Sequence, residues 1–298
     1  MLRPLLAAAL AGCAAAAAPP AVITLRGGAA ALTVDPATAE VNISRGAGGE
    51  PLLRSVGVGA FTGGAWRGSG GEGLALLRHR QTRVAGAYEE VAMDWGGGAA
   101  PLTTSVRLSA DGRSAVFAVR YPEGAAGTAA MGHRNCALLG AMGVCPSWPS
   151  TRFPSFDTSV GLLSSGSAGY WTWQQNMCRP SMGAAAELTV HGIEGGPVVL
   201  HDLADSGMRA AVVVSHLNQF LTATQNVSER SGGRWDIGVG GEITTLPKGF
   251  EQQTVVFIGG QEEGVLETVY GWGELLRKAH GTDKAAVRAA DPTLSQLS

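Results

Sequence analysis

Charged residues are scarce in this chain. Only 15% of its 298 residues are Asp, Glu, Lys or Arg, and the formal net charge is −2. Such a balance provides neither the basic groove that binds nucleic acid nor the polybasic patch that binds an anionic membrane surface. Hydrophobic residues make up 45% of the chain, which is enough to build a core. We therefore expect a globular domain and no nucleic-acid partner.

Cysteine is rare as well, with four in the chain. Three of them, Cys136, Cys145 and Cys178, lie beyond the amino-terminal apolar run. No two have the close spacing of a zinc site, and the nearest histidine, His133, does not complete one. A close pair in an oxidising compartment tends to become a disulfide, so Cys136 with Cys145 is a candidate bridge. We predict no metal site and no cofactor.

Catalytic motifs are missing too. No Gly-x-Ser-x-Gly occurs as a nucleophile elbow, and the Gly-rich stretch Gly70-Gly71-Glu72-Gly73 lacks the lysine of a phosphate loop and is interpreted as a turn. Hydrolysis of a glycosidic bond needs two carboxyl groups about 5 to 9.5 Å apart. Glu89 and Glu90 are neighbours on a predicted strand and point to opposite faces. We interpret them, and Asp202 with Asp205, as surface or turn residues.

An esterase-like hydrolase is disfavoured for the same reason, since no nucleophile, base and orienting group can be matched in the sequence. The strand histidines His191, His201 and His216 have no metal-ligand spacing. We interpret all three as structural.

Residues 1–20 predict a secretory signal peptide. Arg3 supplies one positive charge, and Leu5 to Ala18 is an uninterrupted apolar run. The run is too short to span a bilayer, which needs about 20 apolar residues. One alternative is a bacterial lipoprotein box at Leu10-Ala11-Gly12-Cys13, with lipid attached to Cys13.

Two sequons add to the secretory interpretation. Asn42-Ile43-Ser44 and Asn226-Val227-Ser228 would accept glycans in a eukaryotic secretory pathway. We expect the protein to be secreted or to lie in a lysosome-like compartment, with no membrane span.

The chain does contain a series of short β-type runs between turn signals. The first three, Ala21–Leu25, Ala31–Asp35 and Ala39–Ile43, predict a meander of antiparallel strands. The turn Ala110-Asp111-Gly112-Arg113 predicts a hairpin before the strand Ser114–Tyr121. Other predicted strands are Leu74–Arg83, Thr103–Leu108, Glu187–His191, Pro197–Leu203, Ala210–Ser215, Gly233–Val239, Glu242–Leu246 and Gln252–Ile258.

This pattern predicts an all-β fold. No helix-length amphipathic segment interrupts the strands, which argues against alternating β and α elements. We predict a large antiparallel two-sheet β-sandwich, or supersandwich, over residues 21–260, and a linker helix and tail over 261–298.

The middle of the sandwich region is rich in aromatic residues and proline. Aromatic rings stack on the apolar faces of sugars, and nearby amides hydrogen-bond their hydroxyl groups. The candidate substrate-binding residues are Trp148, Trp171, Trp173, Gln174 and Gln175. The alternative is that Trp171 and Trp173, two residues apart, share one strand face and fill the core.

An amphipathic helix is predicted from Glu262 to His280, with Gly281 as its stop. Its apolar stripe consists of Leu266, Val269, Tyr270, Trp272 and Leu276. The helix contains Trp272-Gly273-Glu274-Leu275-Leu276 and follows the strand Thr254–Ile258. It resembles the linker of secreted glycoside hydrolases in which a β-supersandwich precedes a (β/α)8 barrel, as in the α-galactosidase and raffinose-synthase-like families. Further similar stretches are Phe153–Asp157, Gly196–Asp202 and Val212–Phe220.

The resemblance implies a non-catalytic amino-terminal domain. In those families the catalytic carboxylates lie at the ends of barrel strands, so no catalytic residue is carried over to this chain. The sandwich would support an intramolecular barrel and lend a loop to its sugar pocket. The alternative is a stand-alone secreted carbohydrate-binding β-sandwich protein. An exposed apolar patch at Tyr270, Trp272 and Leu276 would favour the docking helix.

Overall fold

A computed structural model describes residues 21–46, 49, 51–130, 148–174, 179–192, 196–202, 210–228, 233–260 and 263–282. In this part of the chain, two large antiparallel sheets enclose a shared core, and one α-helix covers the outer face of the larger sheet. The predicted all-β sandwich with a following helix is confirmed.

The first large sheet has eight strands among the described residues. In spatial order they are β1 (Ile23–Arg26), β2 (Ala30–Asp35), β3 (Glu40–Arg45), β4 (Pro51–Val56), β13 (Ser155–Asp157), β20 (Arg234–Val239), β19 (Ala223–Ser228) and β16 (His191–Gly192). Strands β1 to β3 form the predicted meander, with Thr33 opposite Asn42, and β4, which was not predicted, extends it with Leu53 opposite Ile43. The other four strands come from distant parts of the chain.

The second large sheet has nine strands in the same described ranges. In spatial order they are β15 (Arg179–Ala184), β14 (Ala168–Gln174), β17 (Val198–Asp202), β18 (Ala210–His216), β22 (Phe250–Ile258), β10 (Ser114–Tyr121), β9 (Leu102–Ser109), β8 (Tyr88–Gly96) and β7 (Ala75–Val84). Strand β22 lies between β18 and β10, so it joins the two halves of this sheet.

Smaller elements complete the described structure. They are the strands β5 (Gly59–Thr62), β6 (Ala65–Gly68) and β12 (Thr151–Arg152) of one small sheet, the paired strands β11 (Ala125–Ala126) and β21 (Thr245–Leu246), and 3₁₀ turns at Gly161–Leu163 and Ala185–Glu187. Two predicted strands are mostly wrong. Glu187–His191 begins within a 3₁₀ turn, and Glu242–Leu246 starts with a turn in which the Ile243 amide donates to the Gly240 carbonyl.

Alternation along the strands builds the core. In β9 every second residue, beginning with Leu102, is buried, and the residues between them are only partly buried. Aromatic rings connect the two sheets: Phe117 of β10 lies 5.3 Å from Phe153 and 6.1 Å from Phe156, and Phe156 lies 5.5 Å from Trp235. The sheets therefore share one hydrophobic core.

The hairpin between β9 and β10 has the predicted turn. Gly112 has a φ of +71°, a left-handed conformation that suits glycine, and Asp111 accepts a hydrogen bond of 2.9 Å from the Arg113 amide. The turn is packed as well, because a Cβ on Gly112 would lie 2.6 Å from the Ala29 nitrogen. It therefore contacts the loop that joins β1 to β2.

The predicted helix is present as α1 (Val265–Ala279). It packs on the outer face of the nine-stranded sheet, where Val199, Val213 and Phe257 are buried beneath it. No helix among the described residues is long and apolar enough to cross a membrane. The apolar residues of α1 that pack on the sheet are Val265, Val269, Trp272, Leu275 and Leu276.

The predicted stripe of α1 was partly wrong. Trp272 and Leu276 face the sheet, whereas Leu266 and Tyr270 are 60% and 67% exposed. Residues 265, 269, 272 and 276 recur with the helical period and share a face, and residues 266 and 270 are rotated away from it. The exposed apolar surface of α1 is therefore Leu266 and Tyr270, not Trp272 and Leu276.

Candidate functional site

Trp171 and Trp173 lie side by side on β14, with ring centroids 4.2 Å apart and ring planes inclined by 48°. Tyr170 and Thr172, which alternate with them, are buried. The two tryptophans therefore share one strand face, as predicted, and that face is the outer one. They do not fill the core between the sheets.

The outer face around this pair is apolar. Trp171 packs against the cluster of Val199, Val213 and Phe257 that also carries α1. Met182 of β15 lies opposite Trp171 and is 72% exposed. Together with the exposed Leu266 and Tyr270, these side chains make the sheet and helix partly apolar on the outside.

The structure does not gather all the predicted substrate-binding residues in one place. Trp148 precedes Pro149, which pairs with Gly240 beyond β20, so it lies beside the eight-stranded sheet. Gln174 ends β14, next to Trp173. Gln175 is outside the described residues, as are Cys13, Cys136 and Cys145.

The two sequons differ in their surroundings. Asn42 is partly buried in β3, opposite Arg54 of β4. Asn226 lies in β19 and is only 2% exposed, and its side-chain oxygen has no hydrogen-bond partner in the described structure. Burial disfavours a glycan at Asn226 in the folded chain.

Two of the candidate acidic residues, Glu89 and Asp202, have structural contacts. Glu89 forms an ion pair of 2.9 Å with Arg83, and Asp202 accepts a hydrogen bond of 2.7 Å from Ser167, while Asp205 lies outside the described residues.

Asp94, on β8, is another acidic residue with structural contacts. Burial acts to raise its pKa, but hydrogen bonds and the charges of its arginine neighbours hold that pKa below the usual range. No group of three or more His, Cys, Asp or Glu among the described residues could hold a metal ion.

His201 and His216, on opposite faces of the nine-stranded sheet, are buried to different degrees. Burial lowers the pKa of His201, and nearby Asp202 partly opposes this. The inward-facing His216 is almost completely buried, which lowers its pKa to about 4. An imidazole in such surroundings is uncharged at neutral pH, which agrees with the structural interpretation.

A polar cleft of about 120 Å³ lies elsewhere, between the turn after β4, strand β6 and the strands β12, β13 and β20. One wall is Arg152 of β12. Its guanidinium carbon lies 4.1 Å from the centre of the Trp66 ring, and its Nε lies 3.2 Å from Oδ2 of Asp236. Oδ1 of Asp236 accepts a hydrogen bond of 2.5 Å from Ser155. Packing, an ion pair and a hydrogen bond thus hold this wall in place.

The electrostatics of Arg152 follow from this packing. Burial lowers its pKa, and the charges of Asp236 and Glu72 oppose that change. Because an arginine ordinarily titrates far above neutral pH, the guanidinium keeps its charge. The cleft therefore presents a fixed cation next to an aromatic ring.

The other wall comes from β6 and the turn that follows it. The hairpin between β5 and β6 turns at Gly63 and Gly64, both with positive φ. Beyond it, Arg67 Nε is buried without a hydrogen-bond partner in the described structure. Glu72 lies against Gly68, where a Cβ would stand 2.5 Å from Glu72 Oε2. Glycine at this position leaves room for the carboxylate.

Sequence reasoning missed this cleft. The predicted Gly70–Gly73 turn is present, since Gly70, Gly71 and Gly73 have positive φ. The dipeptide Trp66-Arg67 beside it is a local signal that could have been noticed. Arg152 and Asp236, however, join the site only through the pairing of β12 with β5 and the ion pair to β20.

No protein-family model matches this sequence, and no curated protein matches it significantly. Among solved structures, α-N-acetylgalactosaminidase NagBb from Bifidobacterium bifidum, in complex with Gal-NHAc-DNJ, aligns with a TM-score of 0.52 at 11% identity. The alignment covers 85% of this chain and 38% of NagBb. The GalNAc complex of NagBb aligns with the same score and identity over 92% of this chain and 42% of NagBb.

A third similar structure is the GH36 α-galactosidase AgaA from Geobacillus stearothermophilus, with a TM-score of 0.42 and 11% identity over 81% of this chain and 41% of that one. The chain thus spans well under half the length of these structures. The likeness to NagBb shows that this chain has the fold of part of that protein.

Proposed function

We propose that this chain is a non-catalytic β-sandwich domain of a longer glycoside hydrolase and that it supports the catalytic barrel. The observation that carries the proposal is the fold: it is shared over 85% of this chain but only 38% of NagBb, an α-N-acetylgalactosaminidase. A carbohydrate is therefore the proposed partner.

Two carboxyl groups of the described sandwich, Asp94 and Asp157, are unsuited to general acid catalysis. A glycosidase needs a general acid whose pKa is raised. The pKa of Asp94 is lowered instead, and hydrogen bonds from Ser159 outweigh the effect of burial to lower that of Asp157. Such carboxyl groups stabilise the sandwich in their charged form and cannot easily donate a proton at neutral pH.

The outer face of the nine-stranded sheet is the proposed contact with the barrel. Met182 of β15 is mostly exposed and lies opposite Trp171, and Leu266 and Tyr270 are mostly exposed on α1, which packs on the same face of the sheet. Contiguous apolar surface commonly marks an interaction site. In this arrangement Trp173 would reach the rim of the sugar pocket, whereas Trp148, beside the other sheet, would not.

Sequencing the transcript across Ser298 tests the proposal first. We expect the reading frame to continue into alternating strands and helices with Asp residues at strand ends. We also expect the longer protein, and not the 298-residue chain, to hydrolyse a nitrophenyl α-N-acetylgalactosaminide. A stop codon directly after Ser298, or hydrolysis by the chain itself, would contradict the proposal. The stop codon would favour the stand-alone carbohydrate-binding protein.

The proposed rim contact has its own test in the longer protein. Replacing Trp173 by Ala removes a stacking surface worth about 1 kcal/mol. KM should therefore rise several-fold while kcat stays the same. Phe220→Ala, which removes another half-exposed ring, is the matched control and should leave KM unchanged. Equal KM values for wild type and Trp173→Ala would remove Trp173 from the sugar pocket.

A further inference from the structure

The cleft beside Trp66 has polar groups that the fold leaves unused. None of the ion pairs in the described residues involves Arg67 or Glu72. Arg67 Nε is also buried without an acceptor in that part of the chain. A buried donor without an acceptor costs about 1 to 3 kcal/mol. Arg67 as a whole is only partly buried and lines the cleft, where its guanidinium can donate to a ligand.

The cleft carries charges of both signs. Arg152 is paired with Asp236 at 3.2 Å. Arg67, Glu72 and Arg234 also line the cleft, and Arg234 has an interaction of its own. An anion would meet the Glu72 carboxylate, and a cation would meet the arginines. A hydroxyl group can satisfy both sides, because it accepts from a guanidinium and donates to a carboxylate.

The volume of the cleft limits the size of the ligand. The cleft of about 120 Å³ exceeds the roughly 30 Å³ of one water molecule and is smaller than the roughly 300 to 1,000 Å³ of pockets that enclose whole drug-sized ligands. It can therefore admit part of one sugar ring. Trp66 is 38% exposed and is held in place by Arg152 and by an edge contact with Phe61.

We propose that this cleft binds the terminal residue of a neutral carbohydrate, with two neighbouring hydroxyl groups bridging Arg67 and Glu72 beside Trp66. The choice of carbohydrate as the ligand class rests on the proposed function. The choice of residues is independent of it, because the cleft is built by strands and turns other than those that carry Trp171 and Trp173.

Saturation-transfer NMR and calorimetry on the 298-residue chain test the site. The probes are galactose, N-acetylgalactosamine, glucose and mannose, with galacturonate as the anionic counterpart of galactose. We expect saturable binding of at least one neutral sugar. Glu72→Gln and Arg67→Met should each raise its Kd about tenfold or more, because each removes a charge-assisted hydrogen bond.

Two control variants separate this site from general effects. Glu123→Gln and Arg26→Met change exposed residues away from the cleft and should leave Kd unchanged. Far-UV circular dichroism checks that each variant is folded. Glu72→Gln is the variant least able to disturb folding, because Glu72 is exposed on a turn. The inference would be overturned if no neutral sugar bound saturably or if galacturonate bound more tightly than galactose. It would also be overturned if the control variants raised Kd as much as the cleft variants.

The outcomes also distinguish this inference from the proposed function. Sugar binding at the cleft together with a stop codon after Ser298 would retain the cleft and reject the hydrolase domain. A reading frame that continues beyond Ser298, without sugar binding at the cleft, would retain the hydrolase domain and reject the cleft site.

Discussion

At the scale of single residues, burial decides the chemistry of His216. The residue faces the core from β18, opposite Thr254 of β22, and neither ring nitrogen has a hydrogen-bond partner in the described structure. Its folded-state pKa is about 4, compared with the usual 6.5. Folding therefore requires this imidazole to be neutral.

The sign of the resulting pH dependence follows from linkage. Between pH 6.5 and 4 the unfolded chain binds a proton at His216 that the folded chain does not bind. The contribution to stability is complete above pH 6.5 and is lost as the pH falls to 4. Over that range we expect a loss of about 3 kcal/mol in the free energy of unfolding.

Denaturant unfolding of wild type and His216→Leu at pH 7 and pH 5 measures this effect. The wild type should lose more stability on acidification than the variant, which has no titrating group at this position. His201, whose pKa is also lowered, contributes equally to both proteins and cancels in the comparison. Identical pH dependence in the two proteins would show that His216 does not control acid stability.

At the scale of elements, α1 shows how close packing modifies an ordinary helix preference. Two glycines in the helix have different surroundings. A Cβ on Gly271 would lie 2.8 Å from the Phe257 ring, whereas a Cβ on Gly273 would meet nothing closer than Arg277 Nη1 at 3.9 Å. Gly271 therefore permits contact with the sheet, and Gly273 has no such role.

This contrast predicts opposite effects for the same substitution. Gly273→Ala should raise the free energy of unfolding by about 0.5 to 1 kcal/mol, because alanine favours the helix. Gly271→Ala should lower it, because the new methyl group displaces Phe257 from its contact. Chemical denaturation of the two variants, which serve as controls for each other, measures both. A gain in stability at both positions would mean that α1 is not tightly packed on β22.

The candidate sites also show what an element-level pattern leaves open. Alternation along β14 predicts that Trp171 and Trp173 share a face, and they do. It does not say whether that face is inside or outside the sandwich, because only the position of the second sheet determines this. The same limit applies to α1, where the period identified an amphipathic helix, but Val265 and Leu275 pack on the sheet in place of the predicted Leu266 and Tyr270.

At the scale of the whole molecule, the two sheets depend on one core. The ring of Phe156 contacts Phe117 of the nine-stranded sheet and Trp235 of the eight-stranded sheet, to which Phe156 itself belongs. Phe156 itself is fully buried. Loss of its ring therefore weakens both sheets at once.

We expect Phe156→Ala to lower the free energy of unfolding by about 3 to 5 kcal/mol and to leave a single transition. Tryptophan fluorescence and far-UV circular dichroism, followed together in denaturant, check this. The half-exposed Phe220, replaced by Ala, is the control and should cost far less. Two separate transitions in Phe156→Ala would indicate that the sheets unfold independently.

The sequence by itself determined the features that depend on neighbouring residues. Alternation located strands such as β2, β9 and β22 but missed β4, β8 and β19, Asp111-Gly112 defined a hairpin, and the helical period identified α1, because these signals act over a few residues. Tertiary structure alone decided the features that join distant segments. β13 enters the eight-stranded sheet between β4 and β20, and Arg152 meets both Trp66 and Asp236. The cleft exists only because packing brings together groups that no local pattern relates.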